Sequence, residues 1–91
     1  MYNDYKLKGI EDLIKLSKNN DGEAIAQILY YCNDIAKRIV KDGTIDYEDI
    51  AQRATICIYE KAETYDPRKS AGITWLTTIV RNKYRDALRR K

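Results

Sequence analysis

Apolar residues recur every three or four positions along most of this 91-residue chain. No stretch shows the strict alternation of apolar and polar side chains that a half-buried strand requires. The few glycines and the single proline divide the chain into four segments, and they stand at Gly9, Gly22, Gly43, Pro67 and Gly72. The pattern therefore predicts an all-α fold, a compact bundle of about four helices. A chain of this length is predicted to form a single domain over residues 1–91.

The first two predicted helices are separated by a short polar turn. The first helix, at about residues 9–18, has a small apolar face and ends at the turn over residues 19–22. The second begins near Asn20 or Asp21, where a side-chain oxygen can accept the free amides of the helix start. Its apolar residues keep the helical spacing throughout, and Gly43 is predicted to end it with a left-handed cap.

The third predicted helix carries two distinct faces, and Asp46 is its predicted N-cap. One stripe of small and apolar residues is the natural core side: Ile50, Ala51, Ala54, Cys57, Ile58 and Ala62. A second face mixes polar groups with two large apolar side chains: Asp49, Gln52, Ile56, Tyr59, Glu60 and Glu63. Two interpretations of Ile56 and Tyr59 stay open at this point. They either widen the core contact and pack on the first helix, or they belong to a partner surface.

The last quarter of the chain combines a loop with a fourth predicted helix. Residues 65–72 form the loop, because Pro67 disfavours a helical conformation at the residue before it. The helix starts near Gly72 or Ile73, and its apolar side consists of Trp75, Leu76, Ile79, Val80 and Ala87. A different face, which we call the Arg ridge, carries Thr74, Thr78, Arg81, Arg85 and Arg89, with Asn82 alongside. Guanidinium and hydroxyl groups suit a phosphate backbone, so the ridge favours nucleic acid over an ordinary solvated face.

The net charge of +3 is concentrated on this last helix. Residues 81–91 hold six basic side chains and one acidic side chain, whereas residues 1–80 hold 11 basic and 13 acidic ones. The excess positive charge thus lies on the segment that carries the Arg ridge, which strengthens the nucleic-acid interpretation.

The composition argues against an enzyme and against a membrane protein. The chain has no histidine, the commonest general base, and shows no P-loop glycines and no metal-ligand cluster. Cys32 and Cys57 lack the spacing of a zinc site, and a disulfide is not expected in a cytosolic protein. No apolar run approaches the roughly 18 residues of a membrane span, and no signal segment opens the chain. We expect a soluble, cytoplasmic, non-enzymatic protein that needs no cofactor.

Six short motifs follow one another from Asp46 onward. They are Asp46-x-x-Asp49-Ile50-x-Gln52, Tyr59-x-Lys61-Ala62, Tyr65-Asp66-Pro67, Thr74-Trp75-Leu76, Ile79-x-Arg81-Asn82 and Asp86-Ala87-Leu88-Arg89-Arg90. In this order and spacing they resemble region 2 of bacterial sigma factors of the sigma-70 family, in particular the extracytoplasmic-function and phage-like members. The resemblance covers about residues 21–91 and leaves a short N-terminal helix at residues 1–20 outside it.

The resemblance implies a transcription initiation factor domain that binds core RNA polymerase and recognises and melts the promoter minus-ten element as single-stranded DNA. It implies that the third helix docks on the clamp helices of the polymerase β′ subunit through Asp49, Gln52, Arg53, Ile56, Tyr59 and Glu60. It also implies that the loop and fourth helix contact the non-template strand through Tyr65, Pro67, Arg68, Lys69, Ser70, Thr74, Thr78, Arg81, Asn82, Arg85 and Arg89.

Two local departures from the family pattern affect these assignments. The pattern continues Gln-Glu where this chain has Gln52-Arg53, which reverses a charge beside the expected polymerase contact. The stretch over residues 76–80 lacks the aromatic residues that the housekeeping type places on its melting helix, so duplex opening should depend on the loop and on charge. Trp75 lies near the apolar sector and is predicted to be a core residue rather than a stacking platform.

A complete sigma factor of this kind continues with a helix-turn-helix domain, and this chain ends at Lys91. It is then either an excised domain or a natural region 2 subunit that works with a separate helix-turn-helix subunit, and an anti-sigma factor is a further possible partner. Two other hypotheses stay open. The chain could be a region 2 mimic that sequesters polymerase or a sigma antagonist, or a plain helical domain that binds double-stranded DNA.

Overall fold

In a computed structural model, residues 9–90 are described, and they contain four α-helices, one short 3-10 helix and no strand. The helices are α1 (Ile10–Ser17), α2 (Gly22–Ile39), α3 (Tyr47–Lys61), the 3-10 helix (Ala62–Thr64) and α4 (Gly72–Arg89). The all-α prediction and all four predicted helices are confirmed. None of the helices in this part of the chain is long and apolar enough to cross a bilayer.

Aspartate side chains start α2 and α3: Asp21 is one of the two predicted starts of α2, and Asp46 is the predicted N-cap of α3. The carboxylate of Asp21 accepts the backbone N–H groups of Glu23 and Ala24, both at 3.1 Å. The carboxylate of Asp46 caps α3 by accepting the backbone N–H of Glu48 at 2.9 Å. The turn before α2 passes through Asn20 at a φ of 63°, a left-handed conformation that asparagine tolerates better than most residues. These local bonds fix where each helix begins.

The predicted end of α2 is wrong. The helix ends at Ile39, Val40 is already extended, and Gly43 does not have the positive φ of a left-handed cap. The chain turns instead through a side chain, because the carboxylate of Asp42 accepts the backbone N–H of Thr44 at 2.8 Å. A side-chain turn of this kind replaces the glycine cap.

The core prediction for α3 is confirmed, since all six residues of its predicted stripe are buried. The buried cluster also contains Leu13 of α1, Ile28 of α2 and Leu76 of α4, and each helix touches the other three. Thr55, which the predicted stripe omitted, is buried too, and its hydroxyl donates to the carbonyl oxygen of Ala51 at 2.8 Å. Because one face of α3 packs in the core, its other face is turned outward.

A long-range contact ties α4 to the end of α2. The hydroxyl of Tyr84 accepts the backbone N–H groups of Lys41 and Asp42, each at 3.3 Å. Both amides lie just after the last residue of α2. The side chain of Tyr84 therefore fixes the exit of α2 against the C-terminal half of α4.

Candidate functional site

The outer face of α3 exposes two large apolar side chains. Ile56 is 57% exposed and Tyr59 is 38% exposed, and neither belongs to the buried cluster. The hydroxyl of Tyr59 donates to the side-chain oxygen of Asn20 in the turn between α1 and α2. Ile56 therefore does not widen the core, whereas the hydroxyl of Tyr59 reaches the turn that follows the first helix.

Polar side chains surround these two residues on the same helix. We call this set the α3 outer face, and it consists of the exposed residues Asp49, Gln52, Arg53, Ile56, Tyr59 and Glu60. Asp49 and Arg53 form an ion pair across one helical turn. The structure thus brings all six sequence-predicted residues of the polymerase set onto one continuous, solvent-facing surface.

A groove runs between the α3 outer face and the C-terminal half of α4. It has a volume of about 520 Å³, and the apolar residues that line it are Ile56, Cys57 and Ala87. Lys83 and Asp86 of α4 and Arg90 just after it also line the groove, and they were not among the sequence-predicted site residues. A helical signal for them exists in the sequence, because positions three, four and seven apart share one face. The groove makes the candidate surface on α3 larger than one helix.

The Arg ridge is exposed along the whole of α4. Thr74, Thr78, Arg81, Arg85 and Arg89 all face solvent, as does Asn82. Within residues 9–90, Arg81 and Arg85 have no ion-pair partner, whereas Arg89 lies 4.0 Å from Asp86. The hydroxyl of Thr78 donates to the carbonyl oxygen of Thr74 at 3.0 Å, which leaves its lone pairs for a partner. The ridge is therefore a strip of cationic groups, two of which are uncompensated.

The loop before α4 is an ordered turn built around Asp66. Its carboxylate accepts the backbone N–H of Arg68 at 2.9 Å, and its carbonyl oxygen accepts the N–H of Lys69 at 3.0 Å. Pro67, Arg68 and Lys69 are exposed at the tip, and Ser70 is half-buried. The Arg68 guanidinium also lies 3.2 Å from Asp66, but it is almost fully exposed and so the pair is weak. The tip presents two cations to solvent.

Tyr65 and Trp75 form the inner side of this loop. Their ring centroids lie 4.9 Å apart with the planes tilted by 40°, and both rings pack against the buried cluster. The Tyr65 hydroxyl donates to the carbonyl oxygen of Ser70 at 3.0 Å. Trp75 therefore packs on the core, as predicted, and Tyr65 supports the loop from within rather than projecting from its tip.

The carboxylate of Glu11 lies at the start of α4, which sequence analysis missed. Its Oε2 accepts the backbone N–H of Gly72 at 2.8 Å, and this bond holds the pKa of Glu11 below its usual value. Burial, followed by the charge of Glu11, raises the pKa of the Tyr65 phenol. The sequence did contain one signal for this contact. Ala71, at the N-cap position, has no side chain that can accept the first backbone N–H groups of α4, so an acceptor from elsewhere in the chain was needed.

The comparison with known proteins assigns the family. Residues 33–91, which are more than half of the chain, match Sigma-70 region 2. This chain belongs to the sigma-70 region 2 family. It is a sigma factor domain, of a family that serves transcription initiation.

The sigma-70 region 2 chain is also similar to a curated relative, the ECF RNA polymerase sigma factor RpoE of Cereibacter sphaeroides. The two are 28% identical over 75 residues, which cover 79% of this chain and 41% of the relative. This chain therefore spans less than half the length of that sigma factor. No solved structure matches the chain.

The region 2 match begins inside α2 and contains α3, the loop and α4. It therefore includes the α3 outer face and the Arg ridge, and it leaves α1 with Glu11 outside. Within residues 9–90, no three His, Cys, Asp or Glu side chains are grouped to hold a metal ion.

Proposed function

We propose that this region 2 domain binds core RNA polymerase through the α3 outer face and promoter DNA through the 65–72 loop and the Arg ridge. The DNA is the minus-ten element of the non-template strand, held unpaired. The Arg ridge carries this assignment most directly, because Arg81 and Arg85 are exposed on one line and lack an acidic partner within the described residues. A phosphate backbone supplies the missing countercharge.

The chemistry of the α3 outer face supports a protein partner. Exposed apolar side chains that become desolvated in an interface act as anchors, and surrounding polar groups set orientation. Ile56 and Tyr59 are such anchors, and Asp49 and Glu60 place negative charge around them. We propose that the partner surface is the β′ clamp helices of polymerase and that it carries basic side chains opposite these carboxylates.

The loop and α4 support a contact with an unpaired strand. Guanidinium groups neutralise phosphates without regard to sequence, and base stacking adds only about 1–3 kcal/mol per base. Trp75 and Tyr65 pack on each other and on the core, so few aromatic faces remain for bases. The free domain should therefore bind DNA weakly, and polymerase should align the strand along the ridge.

The test combines a polymerase pull-down with a promoter-opening assay. Residues 1–91 with core polymerase should hold open a pre-melted template that contains only a minus-ten element. They should fail on an intact promoter until a helix-turn-helix partner is added. Selective transcription from an intact duplex promoter by the chain and core alone would contradict this expectation.

The same assay separates the other hypotheses. A mimic that sequesters polymerase needs the α3 outer face but not the ridge, so Arg85→Ala would leave all of its effects unchanged. A plain duplex-binding domain would bind double-stranded DNA without polymerase, and Ile56→Ala would not affect it. The proposal requires that both variants lose template opening. Ile56→Ala should lose it through weaker polymerase binding, and Arg85→Ala through weaker DNA binding.

A further inference from the structure

Glu11 of α1 lies at both ends of the loop that joins the 3-10 helix to α4. Its Oε2 accepts the backbone N–H of Gly72 at 2.8 Å and lies 3.4 Å from the hydroxyl of Tyr65. Residues 66–71 run between these two contacts. One carboxylate thus touches the position where the loop leaves the bundle and the position where it rejoins it.

The start of α4 depends on this carboxylate. Ala71 stands at the N-cap position without a side-chain acceptor, and the first turn of α4 has no acidic residue. The first N–H groups of a helix need acceptors and carry partial positive charge. Glu11 supplies both the acceptor and the negative charge, from a helix 61 residues away in sequence.

The backbone of α4 approaches α1 closely at this point. A Cβ atom at Gly72 would lie 2.9 Å from Cγ2 of Ile10 and 3.1 Å from Oε2 of Glu11. The other end of the loop is held by the Tyr65 ring against Trp75. The Glu11 contact therefore belongs to a packed junction and is not an isolated surface pair.

We propose that Glu11 is a positioning residue that fixes the 66–71 loop relative to the Arg ridge, so that α1 forms part of the DNA-contacting unit. This assignment rests on the proposed function, in which the loop contacts the unpaired strand. Glu11 itself does not touch DNA. It sets where Arg68 and Lys69 at the loop tip lie with respect to Arg81 and Arg85 on the helix.

Amide exchange in the free chain tests the positioning without DNA. Glu11→Ala should speed exchange of the Gly72 amide about 5- to 30-fold, the range for losing one helix cap. Glu11→Gln should have a smaller effect, because a carboxamide oxygen still accepts the bond without the charge. Ile14→Val is the matched control, since it loosens the buried side of α1 and leaves the Glu11 carboxylate unchanged. Unchanged exchange at Gly72 in Glu11→Ala, or an equal change there in the control, would overturn the proposal.

A second measurement links the loop to DNA. With core polymerase bound, a fluorescent pre-melted template with randomised minus-ten bases reports base preference. Glu11→Ala should reduce that preference about fivefold, with partial rescue in Glu11→Gln and an unchanged salt dependence, because the Arg ridge is intact. The proposal is overturned if Glu11→Ala speeds exchange of the Gly72 amide but leaves the base preference unchanged. If the wild-type chain itself does not hold the template, the proposed function fails, and the exchange experiment still decides whether Glu11 fixes the loop.

Discussion

Nε of Arg53 donates to Oδ2 of Asp49 at 2.8 Å across one turn of α3. The family pattern has a glutamate where this chain has Arg53, so the charge at that position is reversed. The ion pair with Asp49 partly neutralises the positive charge of Arg53 within the helix. Both side chains are about half exposed, and solvent-screened pairs of this kind contribute at most about 1 kcal/mol to folding. Asp49 can therefore give up this partner for one on another protein at little cost to the fold.

Asp49→Asn should weaken binding to core polymerase about fivefold, because it removes one carboxylate that we propose faces a basic partner. The melting temperature should stay nearly unchanged, because the pair with Arg53 is exposed. Asp34→Asn is a matched control, since Asp34 forms the same type of pair with Arg38 on α2, with 3.1 Å between the charged atoms. Equal losses of polymerase affinity in the two variants would show that the effect is not specific to α3.

Ile56→Ala should weaken polymerase binding by more than tenfold, as expected for an interface anchor. Its free energy of unfolding should change by less than about 0.5 kcal/mol, because the side chain lies outside the core. Tyr30→Ala is the control, since Tyr30 is 61% exposed on α2. Titration of labelled domain with core polymerase measures the affinity, and thermal unfolding measures the stability. A clearly lower melting temperature of Ile56→Ala would show instead that this side chain stabilises the fold.

Arg85→Ala should lower the salt dependence of single-strand binding. Each lost phosphate contact reduces the slope of log K against log salt by about 0.7 for a single strand, whatever the sequence. Arg38→Ala, which removes an exposed cation on α2, should leave the slope unchanged. Binding is measured with polymerase present over a range of salt concentrations. Equal slopes for wild type and Arg85→Ala would show that Arg85 does not contact a phosphate, which contradicts a DNA interface along the Arg ridge.

Gly72→Ala and Gly22→Ala should shift stability in opposite directions. Both glycines are the first residues of helices, but an added Cβ meets Ile10 and Glu11 at Gly72 and nothing within 4 Å at Gly22. The first substitution should destabilise the domain by about 1–3 kcal/mol through overpacking. The second should stabilise it by up to about 1 kcal/mol. Denaturant unfolding measures the free energy of unfolding of the two variants. A Gly72→Ala protein as stable as wild type would mean that Ile10 and Glu11 of α1 move aside at little cost.

The Glu11 bond should make stability depend on pH in acid. The N–H of Gly72 lowers the pKa of Glu11 in the folded state. Its contribution is therefore fully present above the unfolded pKa and is lost as the pH falls through the lower folded pKa. Wild type should exceed Glu11→Gln in melting temperature at neutral pH, and the difference should shrink below the folded pKa, where Glu11 is uncharged. A difference that does not vary with pH would contradict an ionic cap.

Local rules of the chain account for most of the fold and for the composition of both candidate surfaces. The period of apolar residues placed the four helices and the buried stripe of α3, because each rests on spacing within one helix. The caps at Asp21 and Asp46 were predictable for the same reason, since the acceptor and the amide lie two or three residues apart. The family resemblance followed from motif order between Asp46 and Arg90.

The error at Gly43 shows the limit of local rules. Glycine permits a left-handed cap but does not require one, and the Asp42 side chain turned the chain by another bond. Nothing in the spacing of residues 39–44 distinguishes these two outcomes.

The remaining features depend on how the helices meet. Helical spacing placed Ile56 and Tyr59 off the core stripe but could not show whether another helix covers them, and in the fold they are exposed. The contact of Glu11 with Gly72 joins residues 61 positions apart, and that of Tyr84 with Asp42 joins residues 42 apart. No periodicity within one helix encodes such pairs, because they arise from the crossing of two helices and the close packing at the crossing.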